Sequence, residues 1–114
     1  MSDKEKIWLK NPHLDGNNLF WKGGKTGALL IHGFTATTVE VRQLAEFFHQ
    51  KGLTVSAPLL PGHGTNPYDL NNRKHAEWIE CVRDSYLELA ECCTSVIVAG
   101  ESMGAVLTLS LIHI

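Results

Sequence analysis

Gly100-Glu101-Ser102-Met103-Gly104 constrains this chain more than any other stretch. Ser95-Val96-Ile97-Val98-Ala99 runs ahead of it, short, apolar and β-branched, which is the pattern of a buried strand. Ala105-Val106-Leu107-Thr108-Leu109 follows and continues as a helix. A serine between two glycines at such a strand-to-helix turn reads as a nucleophile elbow, in which the side chain is lifted clear of the sheet. The glycines let the backbone pass without clashes while the serine sits in a strained conformation. The new helix aims its free N–H groups and positive dipole end at that serine. Ser102 is therefore the candidate nucleophile, with Gly100 and Gly104 as supporting turn residues. A glycine-rich β–α turn with an idle serine is the bland alternative.

A second stretch complements the first. Ala28-Leu29-Leu30-Ile31 is a continuous apolar run, as in a strand covered on both faces of a parallel sheet, and it empties into His32-Gly33-Phe34-Thr35. A serine nucleophile needs backbone N–H donors where negative charge develops on a carbonyl oxygen. One such donor lies on the residue after the nucleophile, here Met103, and another in a loop after an earlier strand, here the amide of Phe34. Gly33 fits a backbone that approaches a ligand closely and has no room for a side chain. Taken alone, His32-Gly33-Phe34 is equally an ordinary strand-end turn.

Residues 1–18 are polar and irregular, and Leu19-Phe20-Trp21-Lys22 is a short strand closed by Gly23-Gly24. Val41, Leu44, Ala45 and Phe48 recur at helical spacing, with Gly52 as the stop. Leu53–Ala57 is a further strand, and residues 61–67 form a rigid Pro/Gly loop. From about His75 to Cys92, Trp78, Ile79, Val82, Tyr86, Leu89 and Ala90 make a second helical stripe. Strands alternating with helices predict a single α/β domain with a parallel sheet. A net charge of −2 gives no electrostatic footprint for nucleic acid or an anionic membrane. The charged start, Met1 to Lys6, lacks the apolar core of a signal peptide, and no run reaches the ~18 apolar residues of a membrane span, so a cytoplasmic protein is expected. Cys81, Cys92 and Cys93 form neither a disulfide framework nor a metal motif and read as reduced packing residues; no metal or cofactor is expected. His63 reads as a turn residue whose ring bonds backbone, and His49 and His75 as helix-surface residues.

Ile31-His32-Gly33-Phe34-Thr35, Pro61-Gly62-His63-Gly64-Thr65, Tyr68-Asp69-Leu70, Trp78 and Gly100–Gly104 together resemble the α/β-hydrolase superfamily, most closely its bacterial carboxylesterase and monoacylglycerol-lipase branch. The resemblance covers about residues 18–108. It implies hydrolysis of short-to-medium acyl esters or monoglycerides through an acyl-serine, and it implies that strands 28–31 and 96–99 are neighbours, bringing Phe34 to Ser102. His32 resembles the family's structural histidine. Glu101 departs from the apolar residue usual before the serine, and Ala105 from a common glycine. An acyltransferase or peptidase on the same scaffold, or a non-catalytic half-fold that binds a partner, are the competing readings.

In this fold the triad runs serine, then Asp or Glu, then His. Only twelve residues follow Ser102, and His113 lies ~16 Å along a helix from it. The expectation is the N-terminal half of an α/β-hydrolase fold, truncated after the elbow, inactive alone, and with a neighbour missing beside the strands of Ile31 and Val98. Leu109-Ser110-Leu111-Ile112-His113-Ile114 reads equally as native helix and as the translation of a transposon-end adapter.

Overall fold

The chain is described by a computed structural model covering residues 14–64 and 67–111. Alternation of apolar runs and helical stripes becomes β1 (Leu19–Trp21), β2 (Thr26–Ile31), α1 (Val39–Gln50), β3 (Thr54–Ala57), α2 (Pro67–Asn71), α3 (His75–Cys92), β4 (Ser95–Gly100) and α4 (Met103–Leu111). The four strands form one sheet in the order β1-β3-β2-β4. β2 runs parallel to both β3 and β4, while β1 is antiparallel to β3.

Two cores follow from the pleat of β2, because successive side chains point to opposite faces. Ala28 and Leu30 pack with Val41 and Ala45 of α1 and with Val55 and Ala57 of β3. Leu29 and Ile31 pack on the other face with Leu60, Val82 and Leu89, and with Leu107 of α4. The continuous apolar run of β2 thus has helices on both sides, and each fully buried leucine contributes roughly 1.5–3 kcal/mol.

The helix ends obey local chemistry. After α1, Gly52 takes φ +92°. Its N–H bonds His49 O at 3.0 Å and that of Leu53 bonds Phe48 O at 3.1 Å, which satisfies the last carbonyls as in a Schellman motif. At the start of α3 the Glu77 carboxylate accepts the Lys74 N–H at 2.8 Å.

Four expectations change. β2 begins at Thr26, two residues before the apolar run, because Thr26 and Gly27 already pair with Ser95 and Val96; Gly27 interrupts the run where α3 packs over it, a Cβ there standing 3.3 Å from Leu89 Cδ2 and 3.0 Å from Cys93 Sγ just past the helix. Of the loop expected over residues 61–67, residues 65 and 66 lie outside the described residues, and Pro67 instead opens a short helix, Pro67–Asn71. Leu44 and Ala90 share their helices' stripes but face outward, Leu44 at 42% exposure. Ile31 lies on no sheet edge, since β3 and β4 flank β2; β4 alone ends the sheet on that side among the described residues. Cys81, Cys92 and Cys93 are free thiols, and among the described residues no helix is long and apolar enough to cross a membrane.

Candidate active site

Parallel pairing brings two loops to one end of the sheet. Ile31 and Gly100 are register partners, and Glu101 N–H extends the ladder to Ile31 O at 3.1 Å. β2 and β4 therefore release His32-Gly33-Phe34 and Glu101-Ser102-Met103 side by side.

The turn after β4 is built on close backbone approach. A Cβ on Gly100 would stand 2.2 Å from Gly104 O, and one on Gly104 would stand 2.2 Å from Ile31 O and 2.8 Å from His32 O. α4 can begin where it does only because both positions lack side chains. Ser102 has φ +54°, a left-handed conformation that costs an L-residue roughly 1–2 kcal/mol. Its residue is exposed. A Cβ on Gly33 would come within 3.4 Å of Ser102 Cβ and 3.3 Å of Glu101 O, so the glycine of the first loop lies against the serine of the second.

The loop after β2 is pinned. His32 is fully buried, and its Nε2 accepts the Leu60 N–H at 3.0 Å. The ring proton is thereby placed on Nδ1, which donates to Gly33 O at 2.8 Å. Burial holds the His32 pKa down, to about 4, so the ring stays neutral near pH 7. Ala36 N–H also donates to Gly33 O, at 3.2 Å, closing a turn in which Thr35 takes φ +67°. Because the peptide is planar and trans, a Gly33 carbonyl fixed by two donors aims the Phe34 N–H to the opposite side. Among the described residues neither the Phe34 amide nor the Met103 amide is engaged in a hydrogen bond. The Gly33 N–H is engaged: the Glu40 carboxylate accepts it at 2.7 Å.

An aromatic wall stands beside Phe34. Its ring meets His63 at 5.8 Å and Trp78 at 5.9 Å between centroids, and His63 meets Trp78 at 5.8 Å. Trp78 Nε1–H donates to Pro61 O at 2.8 Å, and His63 Nδ1 reaches the same oxygen at 3.3 Å, as expected of a turn histidine. His63 Nε2 is buried without a partner, and burial lowers that ring's pKa as well. A small hollow of about 120 Å³ behind the elbow is lined by Leu30, Glu40, Val41, Leu44, Ala99, Gly100 and Glu101.

The structure thus brings Gly33 against Ser102, with Phe34 and Met103 next to each in the chain and with Gly100 and Gly104 at the tight turn between β4 and α4. His113 lies outside the described residues. Sequence reasoning missed Glu40, whose only linear signal is a carboxylate in the first turn of α1, where the helix dipole already accounts for it.

No protein-family model matches the chain. Over 101 residues it is 41% identical to the thermostable monoacylglycerol lipase of Bacillus sp. (strain H-257), a match covering 88% of this chain and 40% of that lipase. Over 92 residues it is 38% identical to the carboxylesterase of Bacillus subtilis (strain 168), covering 80% of this chain and 37% of that enzyme. A solved structure of a metagenome-derived lipolytic enzyme aligns with a TM-score of 0.81 at 35% identity, over 82% of this chain and 38% of that one. The chain spans about two fifths of the length of these relatives. With the parallel pairing of β2 and β4 and the strained serine between two glycines, the likeness is one of sequence and of backbone alike: over the part it spans, this chain is similar to bacterial monoacylglycerol lipases and carboxylesterases and carries part of the fold of a lipolytic α/β-hydrolase.

Proposed function

We propose that the full-length product of this gene is a serine carboxylic-ester hydrolase acting on short-to-medium acyl esters or monoglycerides. The observation that carries the reading is Ser102: left-handed, exposed, at the N-terminus of α4, and packed against Gly33. Ser102 Oγ attacks the ester carbonyl carbon, its proton passes to a base, and the carbonyl oxygen takes up negative charge. The amides of Phe34 and Met103 donate to that oxygen, in a place where the helix dipole also favours an anion. Collapse of the tetrahedral species expels the alcohol and leaves an acyl-serine, which water then hydrolyses by the reverse sequence. The Phe34 and Trp78 rings, 5.9 Å apart between centroids, offer an apolar surface next to the proposed Phe34 donor for an acyl chain.

The base and its carboxylate partner are not assigned among the described residues. Residues 103–114 contain no Asp or Glu, so the 114 residues alone are expected not to turn over esters at an enzymic rate. Losing the catalytic serine or histidine of such a triad costs about 10⁶ in turnover.

The test is a fluorophosphonate probe on the full-length protein, followed by peptide mapping, with p-nitrophenyl butyrate as substrate. Label on Ser102 and loss of about 10⁶ in kcat on Ser102→Ala are the expected results. Label on another serine, or undiminished turnover in that variant, overturns the assignment. Phe34→Leu should keep most activity because the donor is a backbone amide, whereas Gly33→Val should cost about 10²–10³ in kcat.

A further inference from the structure

We infer that Glu40 is a positioning residue for the oxyanion loop, holding Gly33 from the side opposite His32; the inference rests on the ester-hydrolase reading above. A residue's backbone has two soft dihedrals, and glycine restrains neither with a side chain. Gly33 cannot carry one, because Ser102 Cβ and Glu101 O stand 3.4 and 3.3 Å from where its Cβ would be. The residue that precedes the proposed donor is therefore the least self-restrained in the loop. Its carbonyl side is set by His32 Nδ1–H and Ala36 N–H. Those bonds fix the Gly33–Phe34 peptide plane but place no hydrogen bond on the N–H of the His32–Gly33 plane, whose carbonyl side packs against Gly104.

Glu40 supplies the missing restraint. It is the second residue of α1, and the Gly33–Ala36 turn folds the chain back so that Oε1 reaches the Gly33 N–H at 2.7 Å. A charged acceptor makes this bond shorter and stronger than a neutral one. Among the described residues Glu40 has no ion-pair partner that would draw its carboxylate elsewhere. With both peptide planes held, the Phe34 N–H points one way before any substrate arrives. Misplacing a catalytic group by about 1 Å costs on the order of 10² in rate, which sets the scale for losing the restraint while keeping the donor.

The experiment compares Glu40→Ala and Glu40→Gln in the full-length protein, using p-nitrophenyl butyrate kinetics and hydrogen exchange at the Gly33 amide. Glu40→Ala is expected to lower kcat roughly 10- to 100-fold, with KM within about twofold and faster Gly33 exchange. Glu40→Gln retains an accepting oxygen and is expected to restore kcat to within about threefold of wild type. Should Glu40→Ala prove insoluble, Glu40→Ser repeats that arm, being too short to reach Gly33 yet well suited to a first helical turn. An active wild type whose kcat is indifferent to Glu40→Ala overturns this inference alone. A Glu40→Gln variant as impaired as Glu40→Ala also overturns it. A full-length wild type without ester turnover overturns the underlying reading instead, and the catalytic role of Glu40 with it.

Discussion

β2 and β4 are near twins in sequence and opposites in environment. TGALLI and SVIVAG are six-residue parallel strands of small and branched apolar residues, paired to one another along their whole length. Yet Ala28, Leu29, Leu30 and Ile31 are buried, whereas Ile97, the register partner of Ala28, is 47% exposed. The difference lies in the neighbours. β2 has strands on both flanks and helices on both faces, while β4 has β2 on one flank and α4 against one face, so that Val96 and Val98 are covered and Ile97 is not. A strand's own residues announce that it can be buried; the elements beside it decide whether it is. The contrast carries over to the loops they release, one pinned in the interior through His32 and the other strained at the surface at Ser102.

The comparison breaks first at the core. Leu29→Ala should lower the stability of the 114-residue chain by about 4 kcal/mol in urea unfolding, through lost transfer energy and the cavity left behind. A loss under about 1 kcal/mol would mean that β2 is no better packed than β4.

Acid should separate the two loops next. His32 is held to a pKa of about 4 by burial and returns to ~6.5 when unfolded, so the unfolded chain binds a proton that the folded one refuses. Stability is full above pH ~6.5 and declines as pH falls toward about 4, by roughly 3 kcal/mol from this ring alone. His63, likewise lowered by burial, adds in the same direction. Urea midpoints between pH 7 and pH 4 measure the slope, and His32→Gln should flatten most of it. A slope unchanged in that variant would refute the account.

Ser102→Gly should move stability the other way, by about +1 kcal/mol, because glycine accepts φ +54° without strain. If the gain is absent, the surface turn is less strained than its backbone angle indicates. The smallest effect belongs to Ile97→Thr, about 0.5 kcal/mol or less, as for other half-exposed positions. A loss above about 2 kcal/mol would show that the outer face of β4 is covered in solution.

Much of this fold was legible because two signals are local. Runs such as Ala28–Ile31 and Ser95–Ala99 declare strands, and Gly52 declares a helix end, since each depends on a few adjacent residues. The elbow was legible because steric demands on Gly100 and Gly104 are written in the residues themselves. What stayed hidden depends on three dimensions. Gly27 breaks the apolar run of β2 because α3 crosses there. Leu44 keeps helical spacing with Val41 and Ala45 yet faces out, since the stripe is wider than the core it meets. Glu40 lies seven residues from Gly33 with no periodicity linking them, and only the turn at 33–36 makes them partners.

Gly104 has one more consequence. At this position the start of α4 rests on Ile31 O and His32 O, main chain against main chain, with no side chain between them. A contact of that kind has no rotamers to exchange and no soft methylene to yield. The two loops are therefore joined main chain to main chain at this point, which limits drift between the serine and the amide opposite while leaving the Gly33 N–H to be set by Glu40. On the ester-hydrolase reading, an acyl group entering the gap meets dipoles oriented when the chain folded, so little reorganisation work remains at the moment of attack.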